Sequence, residues 1–457
     1  MGTVPGRSRK EPFYYVTFPG SRPMTIGVGL LGLGTVGAGV ASILTNPEGR
    51  HPMVAELALR RVAVRDQQRS RPVTLPPGSL VTDPLLVVDD PAVEIVVEVM
   101  GGLEPARTLI LRAIAAGKPV VTANKAVIAR HGEEIVAAAA EHGVYVLIEA
   151  AVGGGIPIIE PLKQSLGGNR IQRVSGIING TTNYILSRMA DEGAAYADVL
   201  AEAQGLGYAE ADPAADVEGG DAADKIAILA GLAYGGTVSR AGIATEGIDR
   251  LDARDVAYAA QLGFVVKLLA VAEHVGDNAD GSASLDVRVH PTLLPTSHPL
   301  AGVHGVNNAI LVEGEPVGRV MFYGPGAGAG PTASAVVADI LNIAGIRKVS
   351  GPQAGLDPLL AASRWRRCTL VDGSRTSHRN YVRLRTRDEA GVIGKIGTCF
   401  GDAGVSIQSI VQFPGHEGGA EIVTITHEVL EARFRDALAA IKALEEVEAV
   451  AACLRTL

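Results

Sequence analysis

The sequence is poor in cysteine and aromatic residues, and it has no long uninterrupted hydrophobic run. Its three cysteines all fall in the last fifth of the 457 residues, at Cys368, Cys399 and Cys453. So few cysteines, confined to one end of the sequence, argue against a disulfide framework and indicate a reducing, cytoplasmic setting. Their spacing is also not that of metal ligands. No apolar stretch reaches the ~18 residues of a membrane span, and the N-terminus has no signal-peptide core. We therefore expect no membrane segment.

An excess of basic residues is also absent. The formal net charge is −8, which argues against nucleic acid as the main partner. With 47% hydrophobic and 20% charged residues, the composition suits a large globular protein of several domains. Residues 1–23 are basic, broken by proline and aperiodic, so we interpret them as a disordered tail, with the fold beginning near Met24.

Regular structure is predicted from Thr25 onward. The stretch "TIGVGLLG" predicts a buried strand, and "GLGTVGAGVASIL" turns into a helix. Strands and helices then alternate, which predicts an α/β domain with a Rossmann-type, doubly wound parallel sheet over residues 24–150, completed by about 319–345. A flavodoxin-like domain without nucleotide is the alternative. The glycine spacing favours a dinucleotide, whose pyrophosphate would lie against Gly32, Gly34, Thr35, Val36 and Gly37.

The end of the second predicted strand bears on the choice of cofactor. It reads "VAVRDQQR", with Arg65, Asp66 and Arg69 in close succession. A carboxylate there binds the ribose hydroxyls of NAD, whereas a basic side chain holds the 2′-phosphate of NADP. Arg65 favours NADP, with NAD use left open. A solvated loop charge is the alternative for Arg65.

The pattern changes twice after residue 150. Residues 151–318 are rich in glycine and break the earlier alternation, which predicts a second, α+β domain. Residues 346–379 are polar, basic and irregular, so we expect a linker there. Residues 380–457 show a βαββαβ order, the ferredoxin-like plan. Such a terminal domain is regulatory or, alternatively, a passive dimerisation module.

One stretch concentrates carboxylates ahead of a single lysine. In "GLGYAEADPAADVEGGDAADKIAILA", which begins at Gly205, Lys225 opens an apolar run and so lies at the edge of a buried region. Asp221 precedes it by one helical turn, so the two side chains share a face. An ordinary exposed ion pair is the alternative. Asp212 and Asp216 could orient neighbouring groups or could mark a turn around Pro213.

Several long motifs occur together in one order: "GLGTVG", "VVTANKA", "EAAVGGGIPII", "GIINGTTNYIL", the stretch from Gly205, and "GPGAGAGPTASAVVAD". With them, the chain from about Thr25 to Leu457 resembles the homoserine dehydrogenase family with a C-terminal ACT domain. That family interconverts L-aspartate 4-semialdehyde and L-homoserine with NAD(P)H, on the route to threonine, methionine and isoleucine. The resemblance implies a homo-oligomer, either a dimer or a tetramer, and assigns substrate binding and dimerisation to residues 151–318.

The resemblance also assigns residues to the reaction. It makes Lys225 the acid/base and Lys125 a second lysine between nicotinamide and substrate. The chemistry agrees, since hydride delivery to an aldehyde leaves an alkoxide that needs a proton donor. The alternative explanation of the motif around Lys125 is structural: Asn124 caps the helix that follows. The implied substrate-binding residues are Glu210, Asp221, Asp216, Gly180 and Thr181, although Thr181 could simply begin a helix.

Further ligand positions follow from the same resemblance. Beyond the fingerprint, Arg65 and Lys125, the implied neighbours of the cofactor are Met100, Gly101, Gly207 and Gly328. A monovalent cation, Na⁺ or K⁺, would be held by Glu149, Val152, Gly154 and Ile156; hard cations favour oxygen ligands, and glycines let carbonyls converge. A tight turn between domains is the alternative explanation of those glycines.

The C-terminal domain is expected to bind an amino-acid effector. The resemblance implies threonine, held near Asp388, Gly391, Val392 and Gln408, with the linker carrying the coupling to the active site. Truncation after about Gly351 would then leave an active, threonine-insensitive enzyme.

Two other functions compete with the dehydrogenase hypothesis. One is a catalytically silent amino-acid sensor, and the retention of both Lys125 and Lys225 argues against it. A phosphorylating semialdehyde dehydrogenase is set aside because it needs a central thiol.

Overall fold

The computed structural model describes residues 25–351, 355–361, 364–415 and 419–457. The predicted tail, residues 1–23, lies outside the described residues. The part that follows forms three regions: an N-terminal nucleotide-binding type of domain, a central domain and a C-terminal domain.

The N-terminal domain is built on a six-stranded sheet. Its strands pair in the order β3-β2-β1-β4-β5-β6, and every pairing is parallel. This is the order of a dinucleotide-binding Rossmann sheet, as predicted. The elements are β1 Ile26–Leu31, α1 Thr35–Thr45, β2 Leu57–Ala63, β3 Leu80–Val81, α2 Leu85–Val88, β4 Ile95–Glu98, α3 Ala106–Ala115, β5 Val120–Thr122, α4 Lys125–His142 and β6 Val146–Leu147.

Burial explains why the first motif folds as it does. All six residues of β1 are buried, as a continuous apolar run in a covered parallel sheet should be. Gly32 leaves the strand with a φ of 101°, a conformation that favours glycine. A Cβ atom at Gly37 would lie 2.3 Å from the carbonyl oxygen of Gly32, so the first turn of α1 can approach the strand only without a side chain there.

The central domain pairs a set of helices with a large, mainly antiparallel sheet. Its elements are α5 Ile159–Lys163, β7 Arg170–Ile177, α6 Gly180–Glu192, α7 Tyr196–Gly205, α8 Ala214–Val217, α9 Gly220–Tyr234, β8 Ala244–Thr245, α10 Ala253–Gln261, β9 Phe264–Asp277, β10 Ala283–Pro295, β11 Asn307–Glu315 and β12 Gly318–Pro325. The helix that follows, α11 Ala329–Ser350, packs in the core of the N-terminal domain.

The C-terminal domain has the predicted βαββαβ plan. Its sheet order, β18-β14-β16-β15, is that of a ferredoxin-like fold. The elements of this last part of the chain are β13 Cys368–Leu370, β14 Ser377–Arg387, α12 Val392–Asp402, β15 Ile407–Pro414, β16 Gly419–Thr426, β17 Val429–Leu430, α13 Glu431–Lys442 and β18 Val447–Thr456.

The central and C-terminal sheets are continuous. β18 pairs in parallel with β10, Thr292 opposite Arg455 and Leu293 opposite Thr456, so one path runs β12-β11-β7-β9-β10-β18-β14-β16-β15. Side chains of the C-terminal domain, such as Tyr381, also belong to the core of the central domain. The two domains are therefore joined by backbone pairing and a shared core.

Three sequence-based boundaries need correction. Residues 319–325 belong to β12, which pairs with β11 in the central sheet, so within the range 319–345 only α11 completes the N-terminal domain. The predicted linker 346–379 begins inside α11 and contains β13, which pairs with β10. The last strand group begins at Ser377, before residue 380. The polar composition of this segment concealed its strand, because β13 has only three residues and its neighbour β10 supplies the pairing.

One helix of the described residues could cross a membrane by length and composition. It spans Ala329–Val349, with a mean hydropathy of 1.3 over its best window. Half of that window is buried within the protein, and a Cβ atom at Gly39 of α1 would lie 2.4 Å from the carbonyl oxygen of Ala329. Composition alone therefore does not exclude a membrane span, but the close packing on α1 identifies a core helix.

Candidate active site

A charged cleft lies between the N-terminal and central domains. Its volume is about 460 Å³, and α4 forms one wall while α8 and α9 form the other. Almost all of its lining side chains are ionisable. The lining residues are Lys125, Arg130, Glu210, Asp212, Ala215, Asp216, Gly220, Asp221, Asp224 and Arg240.

Two helix starts bring the key side chains into this cleft. Lys125 is the first residue of α4, just after β5, so it lies at the carboxyl edge of the parallel sheet, where such sheets bind ligands. Asn124 also caps that helix, accepting a hydrogen bond from the Val127 N–H at 3.3 Å. On the other wall, Gly219 has a φ of 83° and turns the chain sharply into α9. Capping by Asn124 and placement of Lys125 are thus compatible.

Asp221 is the centre of the site. Its Oδ1 lies 2.6 Å from Lys125 Nζ, and its Oδ2 accepts a hydrogen bond from Lys225 Nζ at 2.7 Å. Lys225 also donates to the Ile178 carbonyl at 2.7 Å. One carboxylate therefore holds two ammonium groups that come from two different domains.

Electrostatics fix the protonation of Asp221 and Lys125. Burial would raise the pKa of Asp221, but the charges of Lys225 and Lys125 outweigh it and hold the pKa well below its ordinary value. For Lys125, burial lowers the pKa, but the charge of Asp221 more than compensates, so its pKa is raised. At neutral pH the site holds an ionised carboxylate beside a protonated Lys125.

Asn179 is a site residue that sequence reasoning missed. Its Nδ2 donates to Asp216 Oδ1 at 2.7 Å and to Asp221 Oδ2 at 3.0 Å, while its Oδ1 caps α6 by accepting from Thr182 N. Burial raises the pKa of Asp216. The signal available was an asparagine directly before a predicted helix, which indicates a cap but not two carboxylate partners.

The remaining substrate positions lie around this group. Gly180 follows Asn179, and a Cβ atom there would lie 2.6 Å from the Val306 carbonyl oxygen. Thr181 donates its hydroxyl proton to the Tyr208 carbonyl at 2.7 Å, so that hydroxyl is engaged within the protein. Glu210 is exposed and lines the cleft, and among the described residues it has no ion-pair partner within 4.0 Å.

The dinucleotide fingerprint is open at its helix start. Gly34 is the N-cap of α1 and makes no side-chain hydrogen bond, so the cap leaves the first N–H groups of α1 open, as an anion-binding helix start requires. Met100 N donates to Glu98 Oε1 at 2.8 Å, which fixes the loop after β4, and Gly101 follows with a φ of 75°. The other two predicted neighbours also sit in positive-φ turns, at Gly207 and Gly328.

Arg65 and Asp66 differ in their engagement. Asp66 Oδ1 accepts from the Gln68 N–H at 2.8 Å, so this carboxylate braces its own loop. Arg65 is exposed just beyond β2, and within the described part of the chain its guanidinium makes no hydrogen bond or ion pair. The end of β2 therefore presents a guanidinium group that has no partner among the described residues.

The predicted cation position is rich in oxygen. Hydrogen bonds from the described residues do not reach the carbonyl oxygens of Val152, Gly154 and Ile156, although all three residues are buried. Asp339, fully buried beside Glu149 and Glu160, accepts from the Glu149 N–H at 2.8 Å through Oδ2, and its Oδ1 atom has no partner among the described residues. Unpaired buried oxygens suit a cation. The Glu149 carboxylate, in contrast, already accepts three backbone N–H groups, from Ile158, Ile159 and Glu160.

The predicted effector residues are only partly brought together. Gly391 caps α12 with a φ of 95°, Val392 begins that helix, and Asp388 accepts from Gln412 Nε2 at 2.9 Å. Gln408 instead contacts Arg379, at the other end of β14. Within this chain Gln408 therefore lies apart from Asp388, and its role as an effector contact stays a prediction. Because α12 carries the chain away from its own start, β15 begins at the far end and only Gln412 returns to Asp388.

Comparisons with family models, with related proteins and with solved structures all indicate the same family. Family models match residues 157–341 (homoserine dehydrogenase), 32–149 (homoserine dehydrogenase, NAD binding domain) and 380–446 (ACT domain). A homoserine dehydrogenase of Synechocystis sp. is 57% identical over 95% of this chain and 100% of its own. A solved homoserine dehydrogenase of Thiobacillus denitrificans is 43% identical with a TM-score of 0.85, over 94% of this chain and 98% of its own. A hyperthermophilic archaeal homoserine dehydrogenase in complex with NADPH is 28% identical with a TM-score of 0.57, over 70% of this chain and 97% of its own.

Proposed function

The chain belongs to the homoserine dehydrogenase family, and from this premise we propose that Lys225 and Lys125 catalyse its reaction around the carboxylate of Asp221. The enzyme interconverts L-aspartate 4-semialdehyde and L-homoserine with a nicotinamide cofactor. The observation that carries the residue assignment is the double ion pair of Asp221, which joins the nucleotide-binding domain to the central domain within one cleft.

Lys225 is proposed as the acid/base. The bound nicotinamide supplies the hydride, which leaves negative charge on the former aldehyde oxygen. Lys225 Nζ is held by Asp221 and by the Ile178 carbonyl, so its third proton is free to pass to that oxygen. In the oxidative direction the same nitrogen accepts the hydroxyl proton. Lys125, with a side chain 38% exposed to the cleft, adds positive charge where the alkoxide develops.

The rest of the cleft suits an amino-acid substrate. Glu210 is an exposed carboxylate without an ion-pair partner among the described residues, so we assign it to the substrate ammonium. The start of α6, at Gly180 and Thr181, is assigned to the substrate as well, through backbone groups, since the Thr181 hydroxyl is engaged. Asp216 acts through Asn179, as an orienting group rather than a direct contact.

We propose NADP as the preferred cofactor, with NAD as a weaker one. The free guanidinium of Arg65 supports this, because a 2′-phosphate offers it a charged, bidentate partner. The nucleotide would lie along Gly32, Gly34, Thr35, Val36 and Gly37, and pass Met100, Gly101, Gly207 and Gly328.

A monovalent cation, Na⁺ or K⁺, is proposed near the turn after Glu149. The carbonyl oxygens of Val152, Gly154 and Ile156 would hold it. The Glu149 carboxylate would contribute charge at short range while it caps α5. The role of such a cation is structural, because the turn lies between the N-terminal domain and the start of the central domain.

Threonine is proposed as the effector of the C-terminal domain. The support is the helix start at Gly391 and Val392, whose N–H groups suit a carboxylate, with Asp388 beside it for an ammonium.

A homo-oligomer, either a dimer or a tetramer, is also proposed. It is supported by the exposed apolar side chains of edge strand β12, where Met321 is 41% and Tyr323 is 55% exposed. We place the enzyme in the cytoplasm.

The experiment is a spectroscopic assay of NADPH oxidation with L-aspartate 4-semialdehyde. Wild-type protein is expected to oxidise NADPH, and Lys225→Ala to lose about 10²- to 10⁴-fold in kcat, the usual share of general acid catalysis. NADPH binding, followed by its fluorescence, should persist in the variant. Near-normal turnover by Lys225→Ala would refute the assignment of the acid/base, and absence of turnover in the wild type would favour a silent sensor.

A further inference from the structure

The turn that leads into the catalytic helix α9 is covered by another segment of the chain. Ile248 N donates to the Val217 carbonyl at 2.7 Å, directly before that turn. A Cβ atom at Gly247 would lie 2.0 Å from the same carbonyl oxygen. A Cβ atom at Gly219 would lie 3.1 Å from the Thr245 side chain. Residues 245–248 therefore fit against the start of α9 without spare room.

The continuation of this segment is fixed to the C-terminal domain by a buried ion pair. Asp255 on α10 is 1% exposed, and its carboxylate accepts from Arg383 Nε at 2.7 Å and from Arg383 Nη2 at 2.9 Å. Tyr381 adds a third hydrogen bond to it, at 2.9 Å. Two parallel bonds between a guanidinium and a carboxylate fix orientation as well as distance.

Short-range hydrogen bonds brace the chain between these two contacts. Leu251 N donates to the Ile248 carbonyl at 3.1 Å, and Asp255 N donates to the Asp252 carbonyl at 3.0 Å. Arg383 Nη2 also reaches Asp252 Oδ2 at 3.2 Å. On the other side, Glu246 N donates to the Val289 carbonyl of β10 at 2.8 Å. The path from β14 to the start of α9 is thus short and hydrogen-bonded throughout.

We propose that residues 245–255 position the catalytic helix, and that Asp255 and Arg383 are positioning residues for the reaction. They touch neither substrate nor cofactor; they act by holding α9 so that Asp221 spans the distance between Lys225 and Lys125. This inference rests on the proposed roles of those three residues. A ligand that moves β14 in the C-terminal domain would reach the cleft by this route, in addition to the chain connection through 346–379.

The first test changes the contact at the helix start. Gly247→Ala forces its Cβ against the Val217 carbonyl and against Glu218, so the contact between this segment and the turn into α9 must open. We expect kcat to fall by about 10-fold or more while NADPH binding stays within about two-fold, since a small misplacement of catalytic groups is costly and most of the proposed nucleotide contacts belong to the N-terminal domain. Gly302→Ala is the matched control, because a Cβ there meets nothing within 4 Å; it should keep wild-type kcat.

The second test changes the far end of the path. Asp255→Asn should lower kcat and move the alkaline limb of kcat/KM to lower pH: burial lowers the pKa of Lys125 and the charge of Asp221 raises it, so a shift of α9 away from Lys125 would lower that pKa. The charged groups that face Lys125 are Asp221, Asp224 and Lys225 on α9 and Asp216 on α8. Loss of folded enzyme alone would lower kcat without moving that limb. Glu446→Gln, which removes an exposed ion pair with Lys395 inside the C-terminal domain, is the control and should leave both values unchanged.

The outcomes separate this inference from the proposed function. If Gly247→Ala and Asp255→Asn fold, bind NADPH and keep wild-type kcat, KM and pH profile, the positioning role is overturned, even where Lys225→Ala is inactive. Should Asp255→Asn fail to fold, Arg383→Lys takes its place, because it keeps the charge but loses the bidentate geometry. An Arg383→Lys variant with unchanged pH profile and kcat would likewise overturn the proposal.

Discussion

Two ion pairs hold the catalytic helix, and they differ in one respect. Across the cleft, Lys125 pairs with Asp221 through a side chain that is 38% exposed. The other pair, which we call the rear pair, joins Arg383 of β14 to Asp255 on α10, and both side chains are 2% exposed. The chemical partners are alike, a base and an aspartate. The cleft pair is open to a ligand, whereas the rear pair is sealed in protein.

Exposure decides what each pair can contribute. An ion pair near solvent stabilises a fold by about 0 to 1 kcal/mol, but its charges remain available to a substrate. A buried pair cannot meet a substrate, and removal of one partner leaves an uncompensated charge that costs about 3 to 5 kcal/mol. The cleft pair is therefore suited to chemistry and the rear pair to position.

The most drastic way to break this comparison is to delete the C-terminal domain. Truncation after Gly351 removes Tyr381, Val423, Ile425 and Leu454 from the core of the central domain. Each buried side chain contributes about 1.5 to 3 kcal/mol, so the sum approaches the ~5 to 15 kcal/mol that stabilises a typical domain. The sequence predicts an active, threonine-insensitive fragment; on structural grounds we expect an aggregating one. Size-exclusion chromatography and circular dichroism check this, and a monodisperse, active fragment would contradict it.

A single substitution on each side tests the comparison itself. Arg383→Met should lower the free energy of unfolding by about 3 to 5 kcal/mol, because Asp255 stays buried without its charge partner. Lys125→Met should change it by less than about 1 kcal/mol, although kcat falls strongly. Urea denaturation of both variants gives the two values. Equal stability losses would mean that exposure does not distinguish the pairs.

Cofactor choice lies outside both ion pairs and should be separable from them. Arg65→Ala is expected to raise the KM for NADPH by about 10-fold, the value of one charged hydrogen bond, because only NADPH presents a 2′-phosphate. The KM for NADH should stay unchanged, as should kcat. Steady-state kinetics with each cofactor check this prediction. A similar rise in KM for both cofactors would mean that Arg65 does not recognise the 2′-phosphate and is only a surface charge.

The smallest expected effect is the pH dependence of the cleft pair. The folded-state pKa of Asp221 lies below its ordinary value, so its stabilisation is fully present above about pH 4 and is lost as pH falls through the folded pKa. The stability difference between wild type and Asp221→Asn should thus be constant from neutral pH down to about pH 4 and shrink only below it. Urea titrations at several pH values measure it. A difference that stays constant down to about pH 2 would argue for a carboxylate whose pKa is unchanged by folding.

Local patterns predicted the local part of the site. Hydrophobic runs and glycine spacing predicted the Rossmann sheet, and a spacing of one helical turn predicted the Asp221–Lys225 pair, which the structure contains. Contacts between residues far apart in the sequence were not predicted. Neither Asn179 nor the shared use of Asp221 by Lys125 has a sequence signature, because partners distant in the chain meet only after folding.

The junction with the C-terminal domain was also beyond local patterns. The parallel pairing of β10 and β18 joins residues far apart in the chain, and the Asp255–Arg383 pair spans two predicted domains. The contact between Asp388 and Gln412, rather than Gln408, has a related cause, since the direction of α12 and β15 decides which glutamine returns to Asp388. Such contacts depend on tertiary geometry rather than on composition or periodicity.

The central claim is that hydride transfer takes place beside the Asp221 ion pairs. A crystal structure of the enzyme with NADP⁺ and L-homoserine tests it most directly. We predict the homoserine hydroxyl oxygen within about 3.2 Å of Lys225 Nζ, the reach of a general base, with the substrate ammonium toward Glu210. A homoserine molecule bound elsewhere, or one whose hydroxyl lies beyond reach of both lysines while its carbon faces the nicotinamide, would contradict the account.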